Sequence, residues 1–267
     1  MENQHRAIHA CEVLGVNAKP AIPALIALFN NGYTHHSSTD DIGDALSRIG
    51  PESITPLIGS LTNRDEMVRA NVANYLGEWP TESPVVVPIL VKCLEDKSRA
   101  VRNMAARSLG ELAREPTIAI PGLVGVLDDE EKFVRYNACL AIGQFKTQAP
   151  FATAPLLKSL NDFDPEVRNM AAISLAIIDP ENVSTVEKAM PFLIESLKGI
   201  QVFDPRDYRW RLKSSAIEAL GKCGKPAAAA VPTLVKCLES KEPGIGKAAE
   251  KSLKAIDPEA LAKAGVK

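Results

Sequence analysis

The chain has 267 residues, of which 46% are hydrophobic, 24% are charged and 5% are aromatic, and its formal net charge is −2. The apolar content excludes an intrinsically disordered chain, and the near-balance of charge argues against a strongly basic nucleic-acid binder. Aromatic residues are scarce while small and aliphatic residues are plentiful, a composition that favours closely packed helices.

The sequence gives no sign of a secretory signal or a membrane span. The polar first ten residues lack the apolar core of a signal peptide, and no window holds the ~18 uninterrupted apolar residues that a span needs. The five cysteines include no Cys-x-x-Cys pair, and their odd number does not suit a disulfide framework. We therefore expect a reduced, cytoplasmic protein that does not act at a membrane.

A repeat of 33 residues runs through the middle of the chain. The dipeptide Val-Arg recurs at this spacing, at Val68-Arg69, Val101-Arg102, Val134-Arg135 and Val167-Arg168. Small residues and then an apolar–small pair follow in each unit, as in Leu109-Gly110, and the same frame extends outward with weaker matches. This pattern predicts a first helix, A, in each unit, centred near residues 10, 45, 72, 106, 139, 172 and 216. An eighth A helix is predicted at 245–256, followed by a short stub at 258–264.

A second marker lies between the A helices. Each of seven prolines begins an apolar pattern in which leucines are spaced by a helical turn. Because proline is tolerated in the first turn of a helix, each one predicts the start of a second helix, B. The prolines are Pro23, Pro56, Pro88, Pro121, Pro155, Pro191 and Pro232.

These motifs resemble the HEAT repeat family, and more closely its subgroup named after phycobilisome-lyase (PBS-lyase) HEAT-like repeats. The resemblance rests on Asp164-Pro-Glu-Val-Arg168, the Ala-Ala-x-x-Leu-Gly segments and the Ala/Ile/Val-Pro-x-Leu segments. It implies an all-α fold, a right-handed α-solenoid of about seven helix pairs whose B helices line the concave face. We expect residues 1–267 to form a single solenoid domain. Either residues 1–15 cap it, or the chain is a fragment of a longer array.

Three residue patterns could indicate chemistry, and each has a structural interpretation. An Asp precedes the repeated Arg by six residues in Asp96/Arg102, Asp129/Arg135 and Asp162/Arg168, where the resemblance implies a ladder that ties adjacent repeats. The cysteines mostly occupy repeat positions of small buried residues. His5 and His9 share a helix face, as metal ligands can, but the His-Glu dipeptides of HEAT-like deoxyhypusine hydroxylases do not occur. We expect no catalytic residues, no metal and no cofactor.

The segment 199–211 is an atypical insertion that departs most from the repeat. It contains Phe203, Arg206, Tyr208, Arg209 and Trp210, a concentration of aromatic and Arg side chains that is typical of interface anchors. The alternative is that the aromatic rings cover the solenoid groove. The B helices add Lys92, Lys158 and Lys236 at equivalent places within a surface of mixed charge. These eight residues form the predicted partner-binding site.

The sequence favours a non-enzymatic scaffold that binds another protein or a peptide along the concave face. The resemblance leaves two alternatives. One is a bilin lyase or isomerase that handles an open-chain tetrapyrrole for a phycobiliprotein. The other is a HEAT-like DNA glycosylase, which the net charge of −2 and the scarcity of aromatic residues disfavour. The sequence does not predict the oligomeric state.

Overall fold

The computed structural model describes residues 2–31, 36–198 and 209–265, and all regular secondary structure within these ranges is helical. Internal contacts divide the chain into two compact units, Met1–Leu123 and Val124–Lys267. The all-α repeat fold is confirmed, and the grouping of residues 1–267 into one domain stays a prediction.

The first unit consists of helix pairs, the last of which reaches the boundary. The helices are α1 (Glu2–Leu14), α2 (Ile22–Asn30), α3 (His36–Ile49), α4 (Ile54–Gly59), α5 (Glu66–Leu76), α6 (Ser83–Cys93), α7 (Arg99–Leu112) and α8 (Pro116–Gly125). The odd-numbered helices are the predicted A helices, and the even-numbered ones are the B helices. Within this unit α1 packs on α3, α5 packs on α7, and α6 packs on the following A helix, α7.

The second unit continues the same alternation. Its helices are α9 (Lys132–Gln144), α10 (Thr153–Ser159), α11 (Pro165–Ile178), α12 (Val183–Leu197), α13 (Arg209–Cys223), α14 (Val231–Cys237), α15 (Ile245–Ile256) and α16 (Pro258–Lys263). The A helices α9, α11, α13 and α15 pack in succession, and α10, α12 and α14 lie against them. The predicted eighth A helix and its stub are therefore α15 and α16.

Local sequence explains where α11 begins. Asp164 has an extended backbone, and its carboxylate accepts a hydrogen bond of 2.9 Å from the backbone N–H of Glu166. Pro165 occupies the first helical position, where its missing N–H costs nothing. The predicted helix start at Asp164-Pro165 is confirmed.

The prediction that each repeated proline begins a B helix is right for four and wrong for three. Pro23, Pro56, Pro155 and Pro232 lie in the first turn of α2, α4, α10 and α14. Pro88, Pro121 and Pro191 lie inside α6, α8 and α12, because these helices begin one or two turns earlier. The added turns bury apolar side chains such as Val86 and Val87 of α6, and this burial offsets the hydrogen bond that proline removes.

Small residues let neighbouring A helices approach closely, as the composition predicts. A Cβ atom added to Gly143 of α9 would lie 2.7 Å from the Oγ atom of Ser174 on α11. The same relationship recurs between Gly77 and Ser108, at 2.9 Å, and between Gly221 and Ser252, at 2.6 Å. Since real Cβ contacts are not this short, a methyl group at any of these crossings would force the neighbouring serine or helix to shift. This close approach explains the low aromatic content of the chain.

One helical run near the N-terminus, Arg6–Asn30, is long and apolar enough to cross a membrane by length and composition alone. Core helices of soluble proteins and signal sequences meet the same criterion. The run is interrupted by a 3-10 segment at Gly15–Ala21 that contains Pro20, and Ile22, Leu25 and Phe29 beyond it are buried in the protein. The expectation that the chain does not act at a membrane stays a prediction.

Candidate interaction surface

Every B helix carries the same three-residue gradient of exposure. A buried leucine is followed by a half-buried aliphatic residue and then by an exposed residue. The triplets are Leu25-Ile26-Ala27, Leu57-Ile58-Gly59, Leu90-Val91-Lys92, Leu123-Val124-Gly125, Leu156-Leu157-Lys158, Leu193-Ile194-Glu195 and Leu234-Val235-Lys236. The leucine anchors each helix in the core, so the second and third members are presented outward. We call these outward members, taken within each unit, the B-helix face.

The structure places the three predicted lysines on this face. Lys92 is exposed in the last turn of α6, and Lys158 and Lys236 are exposed in the last turns of α10 and α14 of the second unit. None of the three makes a hydrogen bond or an ion pair with a residue that the structure describes. Their ammonium groups are therefore available to a partner.

Glycines on the B helices have two different roles, one on the B-helix face and one between neighbouring B helices. A Cβ atom added to Gly59 or Gly125, which end α4 and α8, would meet no heavy atom within 4 Å. These positions are open to solvent, so the missing side chains leave shallow depressions on the surface. Gly122 differs, because its added Cβ would lie 2.9 Å from Cγ1 of Val91. At that position glycine allows the B helices α6 and α8 of one unit to approach each other.

The insertion residues of the predicted site stay a prediction. Phe203, Arg206 and Tyr208 lie outside the described residues. Arg209 and Trp210 begin α13, and their side chains also lie outside the description. The structure therefore locates only the lysines of the predicted site, and their role in binding a partner stays a prediction.

Sequence reasoning missed the half-buried aliphatic row. These residues are Ile26, Ile58, Val91, Val124, Leu157, Ile194 and Val235. The sequence contains a pattern that could have identified them, because each one directly follows the core leucine at a nearly constant distance from the repeated proline. An apolar row beside charged residues is the composition of protein interfaces, which bury apolar anchors within a polar rim.

The repeated Asp and Arg residues form a ladder that connects neighbouring repeats. In the first unit, the Nε and Nη2 atoms of Arg69 each lie 2.8 Å from a carboxylate oxygen of Asp96, one repeat later. The Nη1 atom of Arg69 donates to the backbone carbonyl of Asn63 at 2.9 Å. In the second unit, Arg135 binds Asp162 and the carbonyl of Asp129 in the same manner. The structural interpretation of these residues is confirmed.

The carboxylates of Asp96 and Asp162 therefore bind the Arg of the preceding repeat rather than the Arg six residues later. Arg102 illustrates the difference, because its Nη1 atom donates to the backbone carbonyl of Asp96 at 2.9 Å, while the Asp96 side chain binds Arg69. The Arg69 hydrogen bonds hold the pKa of Asp96 below its ordinary value, and the same pairing raises the pKa of Arg69. Lys213 and Glu242 are a variant of this pair, 2.9 Å apart.

Four of the five cysteines are buried and do not have the environment of nucleophiles. Burial raises the pKa of Cys93 and of Cys139 to about 12 and that of Cys223 to about 11, and it also raises the pKa of Cys237. Because the thiolate is the reactive form, these thiols are inert at neutral pH. Among the described residues, no group of three or more His, Cys, Asp or Glu side chains could hold a metal ion.

A cavity of about 300 Å³ lies between the A helices α13 and α15 of the second unit. Small side chains form part of its lining, and charged side chains of both signs complete it. The lining residues are Glu218, Gly221, Lys222, Ala248, Lys251, Ser252 and Ala255. This cavity is formed by A helices, so it is separate from the B-helix face.

The alternation of A and B helices with an inter-repeat ladder defines the class of α-helical repeat proteins. The family model of HEAT repeats matches residues 54–133 and 120–206, which is more than half of the chain. The chain belongs to the HEAT repeat family. No curated protein matches it.

Solved structures of helical repeat proteins share the fold. YibA of Escherichia coli is 23% identical, with a TM-score of 0.59, and the match covers 91% of this chain and 85% of that one. A computationally designed armadillo repeat protein for modular peptide recognition is 21% identical, with a TM-score of 0.50, over 76% of this chain and 100% of that one. A chain from the structure of the complex of CpcE and CpcF of phycocyanin lyase from Nostoc sp. PCC7120 is 22% identical, with a TM-score of 0.50. That match covers 58% of this chain and 98% of that one. At this identity the likeness shows the fold alone.

Proposed function

We propose that this chain is a non-enzymatic, cytoplasmic scaffold that binds a protein or a peptide along its B-helix face. The observation that carries the proposal is the exposure gradient that recurs in all seven B helices. The fold presents a half-buried aliphatic residue and an exposed residue side by side on each B helix. A folded repeat protein preorganises such a surface, so a partner loses less of its binding free energy to ordering.

In the second unit, the exposed residues of the triplets on α10, α12 and α14 are all charged. Leu157, Ile194 and Val235 are half-buried there, and the exposed residues beside them are Lys158, Glu195 and Lys236. The charges therefore alternate as positive, negative and positive along successive B helices. Such an alternation does not suit a uniform polyanion, because Glu195 would repel it, and it does suit a polypeptide with charges of both signs.

We further propose that the insertion contributes to the same function. Phe203, Arg206, Tyr208, Arg209 and Trp210 supply the residue types that dominate binding energy at protein interfaces. Among the solved structures of this fold, one was designed for peptide recognition and another is a complex of two chains, and both support a polypeptide partner for this chain.

Site-specific photo-crosslinking in the native host tests the proposal. A photoreactive amino acid is placed at position 158 or 236 of the full chain, and for comparison at position 222 or 251. Lys222 and Lys251 are exposed lysines on the A helices α13 and α15, so they match the test positions in charge and exposure. We expect a discrete protein adduct from positions 158 and 236 and none from 222 and 251. Equal crosslinking at all four positions, or adducts from the A helices only, would contradict the proposal.

A second candidate is the handling of an open-chain tetrapyrrole, which the resemblance to phycobilisome-lyase repeats favours. A chain from the phycocyanin lyase complex shares the fold over 58% of this chain. The test is co-expression with a phycobiliprotein subunit and a bilin source, with and without this chain. Pigment attachment that depends on the chain would support this candidate, and equal attachment in both cultures would reject it.

A further inference from the structure

Two phenylalanines are exposed on one edge of the second unit, where B helices lead into A helices. Phe163 is 79% exposed in the turn between α10 and α11, and Phe133 is 52% exposed in the first turn of α9. Single exposed apolar residues are ordinary, but an exposed apolar patch rimmed by polar residues marks an interaction site. This edge is formed by turns and helix starts, so it is distinct from the B-helix face.

The position of Phe163 is occupied by a charged residue in the earlier repeats. One, two and three periods before it stand Glu130, Lys97 and Arg64. The turn therefore does not require an aromatic side chain, and the repeat places solvated charges there. Phe163 departs from this rule in a chain that has only 7 phenylalanines.

Basic residues of the inter-repeat ion pairs contact both rings. The Cζ atom of Arg135 lies 4.3 Å from the ring centroid of Phe163, while the guanidinium makes its two hydrogen bonds to Asp162. The Nζ atom of Lys132 lies 5.0 Å from the ring centroid of Phe133 and 3.5 Å from a carboxylate oxygen of Asp164. Lys132 thus links the side of Phe133 to the turn that carries Phe163.

The backbone around this turn is fixed by its own hydrogen bonds. The N–H of Asp164 donates to the carboxylate of Asp162 at 2.8 Å, and Arg168 donates to the backbone carbonyls of Asp162 and Phe163. An exposed ring on a turn that is held in this way is preorganised for contact. A partner would not have to order it on binding.

The surroundings of the two rings are acidic. Segments 128–135 and 162–168 together carry seven carboxylates and three cations. Lys132 pairs with Asp164 and Glu166, and Arg135 pairs with Asp162. Seven carboxylates against three cations give the two segments a net charge of −4. Nearby Glu166, followed by Asp164, raises the pKa of Lys132, as expected where carboxylates predominate. The edge therefore presents aromatic rings within a field of negative charge.

We propose that this aromatic–acidic edge, formed by Phe133, Phe163 and the carboxylates of 128–131 and 162–166, binds a polypeptide segment in which Lys or Arg residues alternate with apolar side chains. The exposed rings contact the apolar side chains of the segment, and the net negative charge of the edge attracts its basic residues. An acidic segment would be repelled by the carboxylates. A basic segment without apolar residues would leave both rings exposed to water.

The proposal is tested with four short, fluorescently labelled peptides of equal length: basic–apolar, basic without apolar residues, acidic–apolar and neutral–apolar. Fluorescence anisotropy measures their binding to the full chain at low and at physiological ionic strength. We expect the basic–apolar peptide to bind at least about tenfold more tightly than each of the others, with an affinity that falls as salt is added. Absence of binding, or equal binding of the peptides, would overturn the proposal.

Two variants locate the binding on this edge. Phe133→Ala combined with Phe163→Ala is expected to weaken the basic–apolar peptide by about tenfold or more. Phe163→Lys restores the residue type that earlier repeats carry at this position, so it is expected to keep the fold and to weaken binding as well. Phe151→Ala is the matched control, because Phe151 is 87% exposed in a different turn of the same unit, at Pro150–Ala152. Unchanged affinity in the first two variants, or an equal loss with Phe151→Ala, would overturn the proposal.

Discussion

The hydroxyl of Ser174 on α11 donates a hydrogen bond of 2.7 Å to the backbone carbonyl of Cys139 on α9. Both residues are buried, and Gly143, one turn beyond Cys139, leaves the space that this serine occupies. Ser252 repeats the arrangement, donating to the carbonyl of Ile217 at 2.8 Å. At these two crossings a buried serine therefore connects neighbouring A helices through a side-chain hydrogen bond to the backbone.

Adding one methyl group at this crossing is expected to destabilise the protein. In Gly143→Ala the new Cβ would lie 2.7 Å from the hydroxyl of Ser174, so the helices must separate or the hydrogen bond must break. We expect a loss of about 1–3 kcal/mol in the free energy of unfolding, as for other overpacked cores. Chemical denaturation followed by circular dichroism measures it.

Gly125→Ala is the control for this variant. An added Cβ at Gly125 would meet no heavy atom within 4 Å, and alanine is the better helix former, so the change is expected to stabilise by about 0.4–1 kcal/mol. Combining Gly143→Ala with Ser174→Gly should recover part of the loss, because the hydroxyl that the methyl group meets is then absent. A Gly143→Ala variant as stable as the wild type would show that the crossing tolerates the methyl group.

The ladder predicts an acid-dependent loss of stability. The Arg69 hydrogen bonds lower the pKa of Asp96 in the folded state. The stabilising contribution of this ion pair to the free energy of unfolding is therefore fully present above the unfolded-state pKa of Asp, about 3.9. It is lost as the pH falls through the lower folded pKa. Asp96→Asn is expected to cost about 2 kcal/mol at neutral pH, the scale of a hydrogen bond to a charged group. The difference from wild type should shrink below about pH 4.

Urea denaturation at a series of pH values checks this expectation. Glu95→Gln is the control, because Glu95 is the exposed neighbour of Asp96 and its replacement should leave the free energy of unfolding nearly unchanged at every pH. A constant difference between Asp96→Asn and wild type down to strongly acidic pH would refute the ionic origin of the effect.

Thiol reactivity provides an independent probe of burial. Cys11 is half-buried, while Cys93, Cys139, Cys223 and Cys237 are buried. We expect one thiol of the native protein to react rapidly with an aromatic disulfide reagent, and the remaining four to react only after unfolding. Cys11→Ser should abolish the rapid phase, whereas Cys139→Ser should leave it intact. Rapid reaction of two or more thiols would contradict the described packing.

Much of the fold follows from the sequence because its repeats are nearly one-dimensional. The Val-Arg period and the small residues beside it depend on contacts between neighbouring A helices, so each recurs at a fixed spacing. Helix bounds are less regular. Pro88 lies inside α6 because apolar residues before it extend the helix, and this extension reflects burial rather than local preference.

The candidate site was only partly predictable. Lys92, Lys158 and Lys236 share one repeat position, and the periodicity was sufficient to identify them as exposed. The half-buried row that includes Leu157 and Ile194 depends on how much of each side chain the neighbouring helix covers, a quantity that sequence spacing does not give. The pairing of Asp96 with Arg69, 27 residues earlier, likewise depends on the distance between repeats.

The affinity of the partner recovered by crosslinking tests the central claim most directly. Lys158→Glu with Lys236→Glu changes the B-helix face, and Lys222→Glu with Lys251→Glu makes the same change of charge on the A helices. Titration calorimetry with the purified partner should show binding weakened by about tenfold or more for the first pair and nearly unchanged for the second. Equal weakening by both pairs, or unchanged binding in the first, would contradict a scaffold that binds along its B helices.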